Sequence, residues 1–289
     1  MALDIHIVNV GKGNCTIADH PSGRLTMIDI DDSRAVTELE KAVRLLLKGV
    51  GVTNPVDYFA TNFPNRSIFR FILSHPDMDH LSGIKALFTK AVISNFWDTE
   101  HDKQCDSWEG SPYDEEDWKF YQKLRKKEIN GVTVLKNIRG ASNHFWQEDG
   151  ISILHPHPDL HALASERDEY DHVSHVVKLS HAGRSVLVCG DATKEAFEHM
   201  FNDPDVDMTA DIIIAPGHGS KNHIHEDAIK SVGHKVTLVS VAENVDYDRD
   251  YYTKFGTVLT TKHVGNIRIN IQDDGQVSLR TQSGDYSDQ

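Results

Sequence analysis

Three cysteines in 289 residues, Cys15, Cys105 and Cys189, are too few for a disulfide framework, and no C-x-x-C pair is present to build a thiolate zinc cluster. A reducing cytosol suits such a chain. Long apolar runs are missing as well: none approaches the roughly 18 residues of a membrane helix, and the opening MALDIHIVNV has no basic segment followed by an apolar stretch. The expectation is a cytoplasmic protein, neither secreted nor membrane-spanning. Basic residues are scarce. Lys and Arg number 30 against 44 Asp and Glu, a formal charge of −14 with 18 histidines neutral. That balance repels polyanions at long range and argues against a nonspecific nucleic-acid coat, although cations held in a site offset the repulsion locally. No internal repeat at periods of roughly 20–50 residues is found, which removes solenoids and propellers.

What is present suits a globular α/β chain: 39% apolar and 26% charged residues, in a length that one large domain accommodates. LDIHIVNV alternates, GKGN turns the chain, and CTIA and LTMIDI resume, which reads as an opening β-meander. AVTELEKAVRLLLKG reads as an amphipathic helix with Val36, Leu39, Ala42, Leu45 and Leu46 on one face and Gly49 near its end. SIFRFILS is a buried strand, and LSGIKALF starts a helix behind it. From 98 to 130 the composition turns acidic and aromatic. Ser111 as N-cap, Pro112 at the first helical position, acids in the first turn and Lys and Arg in the last predict a helix there, read as an insertion over the rim of the domain. Its Trp118 and Tyr121 lie at helical spacing and either dock the helix or touch substrate. GVTVLKNI, ISILHP, HVVKLSH and SVLVCGD are four more strands, ATKEAFEHMF is a helix, and ADIIIAPGHGS is a strand ending in a glycine-rich turn. KVTLVSVAEN, GTVLTT and NIRINIQ close the pattern before a frayed tail, SGDYSDQ.

Polar residues concentrate where strands end. SHPDMDH puts His75, Asp77, Asp79 and His80 into one turn between a strand and a helix, where successive side chains converge on one point. Imidazole nitrogens with carboxylate oxygens form the ligand set of Zn, Mn and Fe sites. The alternative is a hydrogen-bonded polar turn without metal. Asp191 in VLVCGDA and His218 in IAPGHGS end two further strands, and an aspartate closing an apolar strand is costly unless paired or bound to a cation. HPHPDLH, with His155, His157 and His161, either feeds a metal or is an ordinary proline-punctuated loop.

With these motifs in order the chain resembles the metallo-β-lactamase superfamily, whose H-x-H-x-D-H turn stands here as H-P-D-M-D-H, with Asp77 at the second histidine. The Asp variant, preceded by Ser74 and followed by LSG, is similar to the branch holding the ComEC-type DNA-uptake hydrolase domain. VNVGKGNCTIA, MIDID, SVLVCGDA and APGHGSKN match further segments of that branch, over residues 1 to about 275. The chain departs from that pattern at Lys12, Asn14, Asp31 and Gly217. The resemblance implies a four-layer αβ/βα sandwich with an inserted helical segment and a site at one edge between the sheets. It makes His75 and Asp77 ligands of one divalent ion and Asp79, His80 and His218 ligands of the other. Asp191 bridges, and Asp79 and Asp191 are the catalytic carboxylates. The remaining ligand of the first ion comes from DEYDHVSHVV, with His172 the first candidate and His175 the second. Lys221, Asn222 and His223 either hold an anionic substrate or form a solvated loop.

Two such ions, Zn or Mn, lower the pKa of a bridging water so that hydroxide attacks near neutral pH. Asp77 makes the first site harder and richer in oxygen, which moves preference towards Mn²⁺ or Mg²⁺ relative to a zinc-only site. The Asp branch implies a phosphodiesterase or nuclease, with local basic residues such as Lys12, Lys221 and Arg249 at the mouth. A small-ester or thioester hydrolase with residues 108–118 as a lid is the second reading. A non-catalytic partner protein retaining a structural metal is the third, and a companion protein that activates the site is a further expectation.

Overall fold

In a computed structural model of the chain, which describes residues 1–48, 50–241 and 246–286, the alternating segments pair into two sheets. The strands are β1 (Leu3–Ile7), β2 (Thr16–Asp19), β3 (Leu25–Ile28), β4 (Ile68–Ile72), β5 (Ile93–Asp98), β6 (Thr133–Lys136) and β7 (Ile151–His155). There follow β8 (Val176–His181), β9 (Arg184–Val188), β10 (Ile212–Ile214), β11 (Val236–Val239), β12 (Thr257–Thr260), β13 (Ile267–Ile271), β14 (Val277–Thr281) and β15 (Gly284–Tyr286). The helices are α1 (Glu38–Lys48), α2 (Pro55–Asn62), α3 (Met78–Leu81), α4 (Ile84–Lys90), α5 (Glu115–Arg125) and α6 (His144–Glu148). After them come α7 (Asp159–Arg167), α8 (Lys194–Phe201), α9 (Glu226–Ser231), α10 (Arg249–Tyr252) and α11 (Thr261–Val264).

One sheet runs β15-β14-β13-β1-β2-β3-β4-β5-β6 and the other β12-β11-β10-β9-β8-β7. Each combines an antiparallel part with a parallel part: β3 to β6 are parallel in the first, β9 to β12 in the second. Strand alternation then sorts side chains into layers. In β9 and β10, Val186, Val188, Ile212 and Ile214 face Ile5, Ile28 and Ile72 of the opposite sheet. Leu187 and Ile213 point the other way, onto Phe197 of α8 and Ile229 of α9. On the first sheet Met27 and Phe71 face outwards onto Phe59 of α2, Leu87 of α4 and Tyr121 of α5. Helices therefore cover both outer faces, and the molecule is the four-layer αβ/βα sandwich.

Several local expectations differ. The helix expected to begin at Pro112 starts at Glu115, because Asp114 accepts the Glu116 N–H and acts as N-cap. The stretch 98–130 carries the crossover that joins β5 to its parallel neighbour β6. Its Trp118, Tyr121 and Leu124 are buried in the core under the sheet, and the Asp117 carboxylate accepts the N–H groups of Gly83 and Lys85 at the start of α4. Docking, not substrate contact, is what Trp118 and Tyr121 do, and a lid over the site is not formed by Trp118. The apolar face expected on α1 is uncovered: Leu39 is 74% and Leu46 85% exposed, since α2, α4 and α5 already fill that outer face, while Val36 ahead of the helix is buried. Gly49 at its end and 242–245, the end of the KVTLVSVAEN segment, lie outside the described residues. The tail is ordered further than expected, with β15 pairing onto β14, and 287–289 lie outside the description. HPHPDLH leads into α7, which contains His161.

Candidate metal centre

The carboxyl ends of β3, β4, β9 and β10 and the amino end of β8 meet at one edge between the sheets, the place where open α/β sheets expose functional loops. β4 delivers Ser74 and His75, and α3 then presents Asp79 and His80. Two glycines permit the approach. Gly190, after β9, has φ +52°, and a Cβ there would lie 2.4 Å from Ser174 Oγ and 2.8 Å from Ser74 Cβ. Gly13, in the opening turn, sits so close to the Asp79 carbonyl that a Cβ would stand 1.7 Å from its oxygen.

The imidazoles are aimed by their Nδ1 atoms. His80 Nδ1–H donates to Asp29 Oδ2 (2.8 Å) and His218 Nδ1–H to the Ser240 carbonyl (2.9 Å), leaving both Nε2 atoms facing the centre. His80 Nε2 lies 3.5 Å from Asp191 Oδ1, and His218 Nε2 lies 3.4 Å from Asp191 Oδ2 and 3.7 Å from Asp79 Oδ2. His75 holds Ser74 Oγ through Nδ1 (3.0 Å), with its Nε2 3.3 Å from Asp171 Oδ1 and 3.8 Å from Asp77 Oδ1. The rings of His75 and His80 are 4.2 Å apart at their centroids.

This donor set fits divalent cations on two observations. His80 Nε2, His218 Nε2 and Asp191 Oδ1 are buried without a hydrogen-bond partner, a cost that a bound cation removes. The donors also fall into groups close enough to share an ion: His75, His80 and Asp191; Asp79, His80 and His218; His75, Asp77 and Asp171. Separations of 3.3–3.8 Å resemble those between ligands held about 2.0–2.2 Å from one ion.

Electrostatics tell the same story with protons in place of metal. Burial pushes His80 and His218 down, but the carboxylates of Asp191, Asp29 and Asp79 outweigh it for His80, and those of Asp191 and Asp79 lift His218 to about 9. Asp79 and Asp191 are held well below the usual carboxylate range, burial being overcome by His80 and His218. Behind them the fully buried Asp31 is pushed up to about 7 by burial, opposed by the Gly13 N–H bond and reinforced by Asp79.

Among the sequence candidates, His75, Asp77, Asp79, His80, Asp191 and His218 share this edge. His172 is in none of these groups; its Nδ1 meets Thr193 Oγ1 (2.8 Å), and its Nε2, 3.3 Å from Glu169 Oε2, is buried without a hydrogen-bond partner. His175 is also outside these groups; its Nδ1 meets the Leu73 carbonyl (2.9 Å) and its Nε2 is buried without a hydrogen-bond partner. The carboxylate placed beside His75 is Asp171, one residue before His172, which sequence reasoning passed over although it stands in the same DEYDHVSH segment. Asp29 was likewise unassigned, within the MIDID match. His223 is partly exposed, with Nδ1 3.1 Å from the Asp191 carbonyl and Nε2 3.8 Å from Asp171, whereas Lys221 and Asn222 are exposed. His155 is buried on the Ser174 carbonyl, and His157 groups with Asp159 and His199 elsewhere on the surface.

No family model and no curated protein matches the sequence. Solved structures do match. A metallo-β-lactamase fold protein, YhfI from Bacillus subtilis, superposes with a TM-score of 0.50 at 11% identity, over 96% of this chain and 99% of that one. The chain has the metallo-β-lactamase fold. Igni18, a metallo hydrolase from the archaeon Ignicoccus hospitalis, gives a TM-score of 0.50 at 13% identity, over 96% of this chain and 98% of its own. Within the metallo-β-lactamase fold of this chain, the edge between the sheets that gathers the imidazoles and carboxylates is built from both halves: His75 to His80 from the first, Asp171, Asp191 and His218 from the second. Among the described residues, no helix is long and apolar enough to cross a membrane.

Proposed function

We propose that this chain is a metal-dependent hydrolase acting on phosphodiesters, related in its turn chemistry to the ComEC-type branch. The observation that carries the reading is the convergence of three imidazole Nε2 atoms on four carboxylates, with His80 Nε2, His218 Nε2 and Asp191 Oδ1 left unpartnered in the interior. His75, Asp77 and Asp171 would hold one divalent ion, Asp79, His80 and His218 the second, with Asp191 between them. When bound, such ions supply Lewis-acid polarisation of the scissile ester and of the attacking water.

The chain's own residues do the positioning. Asp29 fixes the tautomer of His80, Ser240 that of His218, and Asp191 opposes both imidazoles. Asp77 supplies charge and a hard oxygen where imidazole would be softer, which supports a site accepting Mn²⁺ as well as Zn²⁺. Lys12, Lys221 and Arg249 are exposed and provide basic groups on an acidic surface for a nucleic-acid substrate. A small-ester hydrolase would call for an enclosed apolar pocket, and Trp118, half of the aromatic lid expected for it, is buried in the helix-facing core instead. The three cysteines are unpaired, in keeping with a reducing cytosol as the place of action.

Metal analysis of the purified protein, followed by a screen of bis-p-nitrophenyl phosphate, a thioester and nitrocefin with added Mn²⁺ or Zn²⁺, tests the proposal. Metal-dependent turnover of the phosphodiester is expected. A protein that binds no divalent ion, or that hydrolyses only the thioester or nitrocefin, would refute it.

A further inference from the structure

The crossover from β5 to α5 contains a buried network that the metal-ligand geometry leaves unused. Asp98, at the end of β5 and fully buried, accepts the Tyr121 hydroxyl (2.6 Å) and Arg125 Nε–H (2.8 Å). Because Tyr121 donates to Asp98, it accepts from His101 Nε2–H (2.6 Å), which leaves His101 Nδ1 as the acceptor for the Lys103 backbone N–H (3.1 Å). Arg125 Nη2 also donates to the His101 carbonyl (2.9 Å). On the other side Asp102 Oδ1 accepts Ser165 Oγ–H (2.7 Å) and Tyr170 Oη–H (2.9 Å). Residues 101 and 102 are thus clamped from two directions, at the cost of burying an aspartate, a tyrosine and much of an arginine.

The side chain thereby held in place is that of Lys103. Its ammonium passes over the Tyr170 ring, 5.3 Å from the centroid, and pairs with Asp77 Oδ1. The side chain as a whole is 20% exposed. An ammonium has three N–H donors, and one bond to Asp77 leaves two for a ligand at the same edge. Lys221, the lysine that the sequence nominates for this role, is exposed on the loop after the His218 turn and has no such clamp.

We propose that Lys103 is the anion-binding residue of this site, pairing with a non-bridging oxygen of a phosphate ester, and that the Asp98, Tyr121, Arg125 and His101 network is what positions it. This deepens the phosphodiester reading and rests on it. Arg in place of Lys keeps the charge, Gln removes it.

The test uses metal-loaded wild type, Lys103→Gln and Lys103→Arg, with metal content checked for each. Inorganic phosphate binding is measured by calorimetry, and bis-p-nitrophenyl phosphate hydrolysis is followed over a range of substrate. Lys103→Gln is expected to weaken phosphate binding about tenfold or more at wild-type metal content and to raise KM more than it lowers kcat, and Lys103→Arg to recover most of the loss. Phosphate affinity within twofold of wild type in Lys103→Gln, no phosphate binding by wild type, or metal lost in step with phosphate would each overturn the proposal. Phosphate binding that depends on Lys103 in a protein that does not hydrolyse the diester would sustain the anion site and fault the phosphodiester reading alone.

Discussion

Asp191 concentrates the electrostatics of this molecule: each of its oxygens faces a different imidazole, and its charge raises the pKa of both in the metal-free protein. An amide in its place keeps the shape and loses the charge. Asp191→Asn is therefore expected to reduce bound metal, read by elemental analysis, and to lower hydrolysis about 100-fold or more while the melting temperature moves far less. Full metal content and activity in the variant would remove Asp191 from the centre. Asp171 and His172 offer a sharper comparison because they are neighbours in sequence with opposite surroundings. On the proposed reading, Asp171→Ala removes the carboxylate beside His75 and should lower divalent-ion affinity by about 10–100-fold. His172→Ala, which severs a bond to Thr193, should leave metal titration near wild type. Equal effects on metal affinity would show that His172 does reach the ion.

Turns, not helices or strands, carry the functional precision here. The GKGN turn looks weak as a motif, yet Gly13 lies against the backbone of the Asp79 turn, its N–H donates to Asp31 Oδ2 (2.9 Å), and Ser240 Oγ–H donates to its carbonyl (2.9 Å). Adding a methyl at Gly13 must displace backbone rather than a flexible side-chain end, so Gly13→Ala is expected to cost about 1–3 kcal/mol and to weaken metal binding as well. Thermal denaturation with and without Mn²⁺ measures both. A variant as stable and as metal-avid as wild type would mean that the two turns move independently. The crossover between β5 and β6 makes the complementary point: one face of α5 belongs to the core, and the segment before it reaches the site through Lys103.

For the whole molecule, the paired charges predict a pH response whose direction follows from the shifts. His80 and His218 are raised, so their contribution to the stability of the metal-free protein is complete below the ordinary imidazole value of 6.5 and is lost as pH rises through about 9 for His218. Asp79 and Asp191 are lowered, so their contribution is complete above 3.8 and is lost as acid titrates them. The melting temperature of metal-free protein should accordingly fall between pH 6.5 and 9. Metal must displace the imidazole protons, so loading at pH 7 should release protons, visible in calorimetry as a heat that depends on the buffer's ionisation enthalpy. Metal uptake without proton release, or a metal-free melting temperature constant over that range, would contradict these charge assignments.

The four-layer fold and most of the metal-centre candidates could be read from the chain because their information is local. Period-two alternation sorts Val186, Leu187 and Val188 onto opposite faces of β9, and one short turn already contains His75, Asp77, Asp79 and His80. The placement of Asp171 beside His75, and of His172 beside Thr193, could not be read that way. Both lie in a single turn of 3-10 helix, and only the approach of β8 to the end of β4, through the bond from His175 N–H to the Ser74 carbonyl, turns the carboxylate towards His75. Lys103 was equally hidden, since its placement depends on Asp98, Tyr121 and Arg125 meeting across a crossover of more than twenty residues. The exposed face of α1 has the same origin. Amphipathic spacing states which side of a helix is apolar, but whether a partner layer has room for it depends on the helices that already cover the sheet.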